Sequence, residues 1–160
     1  MDQKLISVFL LFSAVCGVSP YVPHRYHFVD QSKTWTEAQS YCRQTYTDLA
    51  TINNMDEMKK LNETLKDKGE NFVWIGLAKG DTGKWRWSLP DGNVYTVEDT
   101  DQNWRNGEPN NNGGNEFCVV MFKQDGKWFD DNCRSDHAFV CFDGKNYYCR
   151  NRLMQNMITS

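Results

Sequence analysis

The stretch from Trp104 to Cys118 reads WRNGEPNNNGGNEFC. It holds no aliphatic side chain, and asparagines and glutamates crowd around a lone proline. Such a segment cannot supply core, yet it ends on a cysteine beside the apolar run Val119-Val120-Met121-Phe122. It is therefore a solvated hairpin loop or a set of oxygen ligands. A hard cation such as Ca2+ takes roughly 6–8 oxygens from carboxylates, amide carbonyls, backbone and water. Glu108, Asn110 and Glu116 would supply two carboxylates and one amide oxygen. An X–Pro bond tolerates the cis form at small cost. A cis Glu108–Pro109 bond would turn the flanking side chains toward one ion. Gly113-Gly114 permits the backbone angles of a tight return. Downstream, Trp128-Phe129-Asp130-Asp131 offers further carboxylates. Composition alone leaves both readings open.

The rest of the chain narrows the choice. At 160 residues it has the length of one domain, and a unit of that size buries roughly 68% of its unfolded surface. A formal net charge of −3 argues against a nucleic-acid binder, which needs a basic stripe. The N-terminus, MDQKLISVFLLFSAVCGVSP, places one lysine before an apolar run from Leu5 to Cys16. That run is shorter than the roughly 20 residues of a membrane span. It has the order of a secretory signal peptide, residues 1–17, with cleavage after Cys16 or Gly17. The expected product is secreted, extracellular and without a membrane anchor.

Secretion bears on the cysteines. If Cys16 leaves with the signal, Cys42, Cys118, Cys133, Cys141 and Cys149 remain, an odd number in an oxidising compartment. Four of them allow three connectivities, and the sequence chooses none. The separation of Cys118 from Cys133 suits a local loop, whose closure is worth about 3 kcal/mol in the chain-entropy model. A Cys42–Cys141 bridge would enclose nearly the whole domain, and Cys149 lies outside that frame.

The element pattern is α+β. Tyr26-His27-Phe28-Val29 reads as an opening strand, and Thr34-Trp-Thr-Glu37 as a capping box that starts a helix carrying Ala38, Tyr41 and Cys42. After an extended TDLATI, Asn54 opens a second helix with Met55, Met58, Leu61 and Leu65 at helical spacing and Gly69 as a stop. Asn62-Glu-Thr64 is a glycosylation sequon on its polar side. FVWIGL at 72–77 is continuously apolar, the mark of a strand buried on both faces. WRWS and NVYTV flank a Pro90-Asp-Gly92 turn as a hairpin. CVVMF at 118–122, GKWF at 126–129 and HAFVCF at 137–142 complete a run of antiparallel strands. The tail, residues 143–160, has no clear pattern.

Other chemistries drop out. The chain has no nucleophile elbow, zinc-protease helix or phosphate loop, so an enzyme is not expected. His24, His27 and His137 are scattered. Asp99, Asp101 and Asn103 begin like an EF-hand loop, but Trp104 takes the glycine position and Asn110 the closing glutamate. Trp35, Trp74, Trp85 and Trp87 sit in apolar-periodic segments, as core does.

Over residues 25–142 the arrangement resembles the C-type lectin-like family. The likeness rests on Tyr41-Cys42 in the capped helix, Trp74-Ile-Gly-Leu77, Glu108-Pro-Asn110, Glu116 two before Cys118, and Trp128 before Cys133 and Cys141. It implies Cys42–Cys141 and Cys118–Cys133 bridges and two helices with antiparallel sheets supporting a long calcium- and sugar-binding loop region. In sugar-binding members an E-P-N loop goes with mannose-type ligands and Q-P-D with galactose. By resemblance Glu108, Asn110, Glu116 and Asp130 would bind both Ca2+ and sugar. One departure stands out: the family's W-N-D reads Trp128-Phe129-Asp130, so one amide ligand is lost unless Asp131 or Asn132 compensates. A second calcium position found in relatives has Asn111 and Phe117 where acids are expected. The expected function is a secreted, calcium-dependent lectin for mannose-type glycans in innate recognition, with avidity from oligomers or clustered glycans. The competing expectation is an ion-independent, protein-binding module whose sugar site has decayed.

Overall fold

The computed structural model describes residues 25–89 and 103–144. The expected signal peptide, the Pro90-Asp-Gly92 turn with NVYTV, Asp99 and Asp101, Cys149 and nearly all of the tail lie outside the described residues. Arg25–Asp143 form one compact unit.

Strand β1 (Arg25–Lys33) opens the unit and is longer than the YHFV core suggests. Helix α1 (Trp35–Thr45) starts on the expected capping box, with Thr34 accepting from the Glu37 N–H and Glu37 accepting from the Thr34 N–H. After the two-residue β2 (Asp48–Leu49), Asn54 caps helix α2 (Met55–Leu65) by accepting from the Asp56 and Glu57 N–H groups. Met58, Leu61 and Leu65 are buried as the spacing predicts, but Met55 is 63% exposed. It is the first helical residue, next to the cap. The position facing inward in that turn belongs to Glu57, whose carboxylate accepts from the Asn53 N–H.

The remaining strands are β3 (Phe72–Lys79), β4 (Trp85–Trp87), β5 (Glu116–Phe122), β6 (Trp128–Asn132) and β7 (His137–Asp143). The sheet runs β1-β7-β3-β5-β6, with β2 against β7 and β4 against β3. Pairing is antiparallel except between β3 and β7, where Val73 faces Ala138 and Trp74 faces Phe139 in parallel. The all-antiparallel expectation is corrected here. The long excursion through β4, β5 and β6 gives β7 the room to return in the same direction as β3, which a short hairpin cannot do. WRW lies against β3, with Leu77 opposite Trp87 and Lys79 opposite Trp85; its expected pairing with NVYTV falls outside the described residues.

Core forms on both faces of the sheet, as the FVWIGL run requires. One layer packs Val73, Ile75 and Leu77 with Met58, Leu61 and Leu65 of α2 and with Trp85, Trp87 and Trp128. The opposite layer sets Trp74, Val120 and Phe139 against Trp35, Ala38 and Cys42 of α1. Trp35 and Trp74 satisfy their indole N–H groups on the Ile75 and Lys33 carbonyls. Gly76 is small for a reason: a Cβ there would stand 2.9 Å from the Leu49 carbonyl oxygen. Disulfides join Cys42 to Cys141 and Cys118 to Cys133, the pairing that the resemblance implies.

Candidate functional site

The acid-rich loop is anchored at both ends. Trp104 forms a parallel bridge to Trp128, the Arg105 N–H donates to the Trp128 carbonyl, and the Trp128 N–H donates to the Asn103 carbonyl. A turn then closes from Arg105 to Glu108, with Gly107 at a φ of +91°. The Glu108–Pro109 peptide is cis, as anticipated. The return passes through Asn111 in the left-handed region at φ 46° and a short 3₁₀ turn, Asn112–Gly114, into β5.

Hydrogen bonds draw the four expected side chains together. The Asn110 Nδ2 donates to Glu108 Oε1 at 2.9 Å. The Asn112 N–H donates to Asn110 Oδ1 at 2.8 Å and to Glu116 Oε2 at 2.7 Å. Asp130, buried at the second position after Trp128, accepts from the Asn110 and Asn111 N–H groups, one on each carboxylate oxygen. Glu108, Asn110, Glu116 and Asp130 line one cavity of about 280 Å³, along with Asn112. Partial burial, followed by the hydrogen bond and negative charge of Asp130, pushes the Glu108 carboxyl above its ordinary range. Two carboxylates that repel each other in this way suit a cation between or beside them.

The donor chemistry fits Ca2+: every candidate group is a hard oxygen. The donor count is short. Among the described residues no three His, Cys, Asp or Glu side chains converge in metal-holding geometry. Phe129 shows why. Its ring packs edge-on to Phe72 and Phe122, at centroid distances of 5.8 and 6.4 Å, and lies under the Arg105 guanidinium. The register holds through the site strand, with Val120 facing Phe129, Val119 facing Asp130 and Cys118 facing Asp131, and shifts only beyond it, where Glu116 faces Asn132. The Asp131 carboxylate is taken by the Asn132 N–H, the Ser135 hydroxyl and His137 Nε2. The Asn132 amide oxygen accepts from the Arg134 N–H. At the second calcium position, Asn111 Oδ1 accepts from the Glu116 N–H and Phe117 is exposed.

On the opposite wall of the cavity, Phe72, Val120 and His137 were not legible in the sequence as site residues. Phe72, Val120, Phe129, Asp131 and His137 line that wall, from four different strands. Only the alternation of β5, which turns Glu116 and Val120 to one side, carries a local hint. Away from the cavity, the sequon residue Asn62 sits beneath the β5–β6 turn. Its Oδ1 is buried without a partner, and its carboxamide lies 3.1–3.2 Å from where a Gly126 Cβ would stand.

Comparison with known proteins agrees with this geometry. The family model for the lectin C-type domain matches residues 31–142. L-selectin of Rattus norvegicus is 37% identical over 122 residues, which cover 73% of this chain and 31% of L-selectin. The chain thus spans under a third of that relative's length. The cow CD23 carbohydrate-recognition domain, determined in the presence of GlcNAc2Man3 oligosaccharide, superposes with a TM-score of 0.64 at 30% identity. That match covers 81% of this chain and 98% of the CD23 domain. The C-type lectin domain of murine dendritic cell inhibitory receptor 2, in complex with N-glycan, gives a TM-score of 0.64 at 28% identity over 79% of this chain and 95% of that one. With its paired disulfides, two helices and mixed sheet under a family model spanning most of its length, the chain belongs to the C-type lectin domain family, a non-enzymatic recognition fold.

Proposed function

We propose that this domain binds glycans of the mannose type with the help of Ca2+. One observation carries the reading: the acid Glu108 and the amide Asn110 stand side by side, 2.9 Å apart, on a cavity shared with Glu116 and Asp130. These four side chains would hold the ion, whose charge would offset the Glu108–Asp130 repulsion and polarise the hydroxyls that reach it. The chain's own contribution is orientation. Glu108 accepts a hydrogen bond from one sugar hydroxyl and Asn110 donates to its neighbour, an order that suits a vicinal equatorial pair. Asp130 holds the loop backbone beneath them through two N–H bonds. The mannose-containing oligosaccharide present with cow CD23 and the N-glycan on murine dendritic cell inhibitory receptor 2 support a glycan ligand. Residues 1–17 would direct secretion, residues 25–142 would form the recognition domain, and residues 143–160 a tail. Among the described residues no helix is long and apolar enough to cross a membrane.

Phe129 favours a second reading, an ion-independent module that binds a protein partner through the same loops. Calorimetric titration with Ca2+, then with mannose in its presence and absence, separates the two. Heat from both steps supports the lectin. No calcium heat and no retention on mannose resin would leave the second reading. Phe129→Asn, which restores an amide oxygen, is expected to tighten Ca2+ binding about tenfold, or about 1.4 kcal/mol. An unchanged affinity would mean that β6 offers its oxygens differently.

A further inference from the structure

The cavity is longer than the sugar loop needs. Glu116 and Val120, four residues apart on β5, both line it, which at about 3.3 Å per residue is about 13 Å of wall. Phe72 also lines it, in register with Phe122 two residues farther along β5, and its ring reaches Phe129, opposite Val120. It is therefore a groove that draws on β7, β3, β5 and β6, polar at one end and aromatic at the other. Phe72 is the odd residue of its strand: Val73, Trp74, Ile75 and Leu77 are fully buried, whereas Phe72 is 36% exposed. Its ring is propped on three others, with centroids 5.0 Å from Phe122, 5.8 Å from Phe129 and 6.4 Å from His137. Arg105 covers the Phe129 ring, which leaves Phe72 as the aromatic surface open to a ligand. Binding grooves join a few placed polar groups to aromatic walls in this way, and a rigid, supported ring offers contact area with little side-chain entropy left to lose.

We propose that Phe72 is the platform of a second subsite, which takes a further sugar residue of an oligosaccharide through the apolar C–H face of its ring. This rests on the glycan reading above: the first residue is held at Glu108 and Asn110, and the chain then extends over β6 toward Phe72 and His137. The preferred ligand is an oligosaccharide rather than a monosaccharide.

The test measures affinities of methyl mannoside and of a panel of mannose di- and trisaccharides, with Ca2+, for the parent, Phe72→Ser and Phe72→Tyr. At least one oligosaccharide should bind the parent about three- to tenfold more tightly than the monosaccharide, the scale of one aromatic contact. Phe72→Ser should abolish that gain and leave methyl mannoside unchanged, while Phe72→Tyr retains it. Equal affinities for short and long ligands in the parent, or a gain that survives Phe72→Ser, would overturn the subsite while leaving the sugar loop standing. Failure of the parent to bind any of these sugars would overturn the glycan reading and the subsite together.

Discussion

Asp130 and Phe129 are adjacent on β6 and pull the site in opposite directions. Asp130 turns inward and spends both carboxylate oxygens on the backbone of Asn110 and Asn111, so it shapes the loop even before any ligand arrives. Phe129 lines the same cavity but joins the aromatic cluster, and its ring brings no oxygen. The identity of each residue is plain in the sequence; the partner of each is not, because those partners come from Asn110, Asn111, Phe72 and Phe122 on other segments. Asn62 makes the same point. Its sequon is legible in three letters, but the half-buried side chain packs against the β5–β6 turn at Gly126. Expressed in a glycosylating cell, the folded protein is expected to show no mass change on enzymatic removal of N-glycans. A glycan found at Asn62 would show that the β5–β6 turn yields.

At the scale of elements, local chemistry predicts starts better than neighbours. The capping residues Thr34 and Asn54 announce α1 and α2 because the donors they satisfy lie within three residues. The two-faced burial of β3 is legible as an unbroken apolar run. Its parallel partner β7 is not, since no side chain of either strand specifies which edge it joins. Gly76 ties the two levels together. Its N–H donates to the Ala50 carbonyl, and the Leu49 carbonyl oxygen occupies the place a Cβ would need. Gly76→Ala is expected to destabilise the fold by about 1–3 kcal/mol, the usual range for overpacking, read as a lower urea midpoint. An unchanged midpoint would mean that the segment around β2 can retreat without loss.

Across the whole molecule, burial sets both stability and its pH dependence. The Cys42–Cys141 bridge, 99 residues apart in sequence, fastens α1 to β7. Close by, Asp48 is fully buried and accepts from Arg43 Nε, the Leu49 N–H and the Ser88 hydroxyl. Burial outweighs these partners and raises its carboxyl above the ordinary value. The folded state therefore holds the Asp48 proton more tightly than the unfolded chain does. Its contribution to stability must fall as pH rises from the unfolded carboxylate value, about 3.9, through the higher folded one. Relative to Asp48→Asn, the parent should lose stability across that window; a constant difference between their denaturation midpoints at every pH would refute the assignment.

By itself the sequence determined the fold class, the two helix starts, the doubly buried central strand and the oxygen-rich composition of the loop. Each of these depends on contacts within a few residues or on a periodicity that a strand or helix imposes. Only the tertiary structure decided that β7 lies parallel to β3, that Phe129 joins Phe72 and Phe122 in the cavity wall, and that the polar loop opens onto an aromatic groove. Those features are meetings of residues far apart in the chain, and burying apolar surface rewards contact area without specifying the partner.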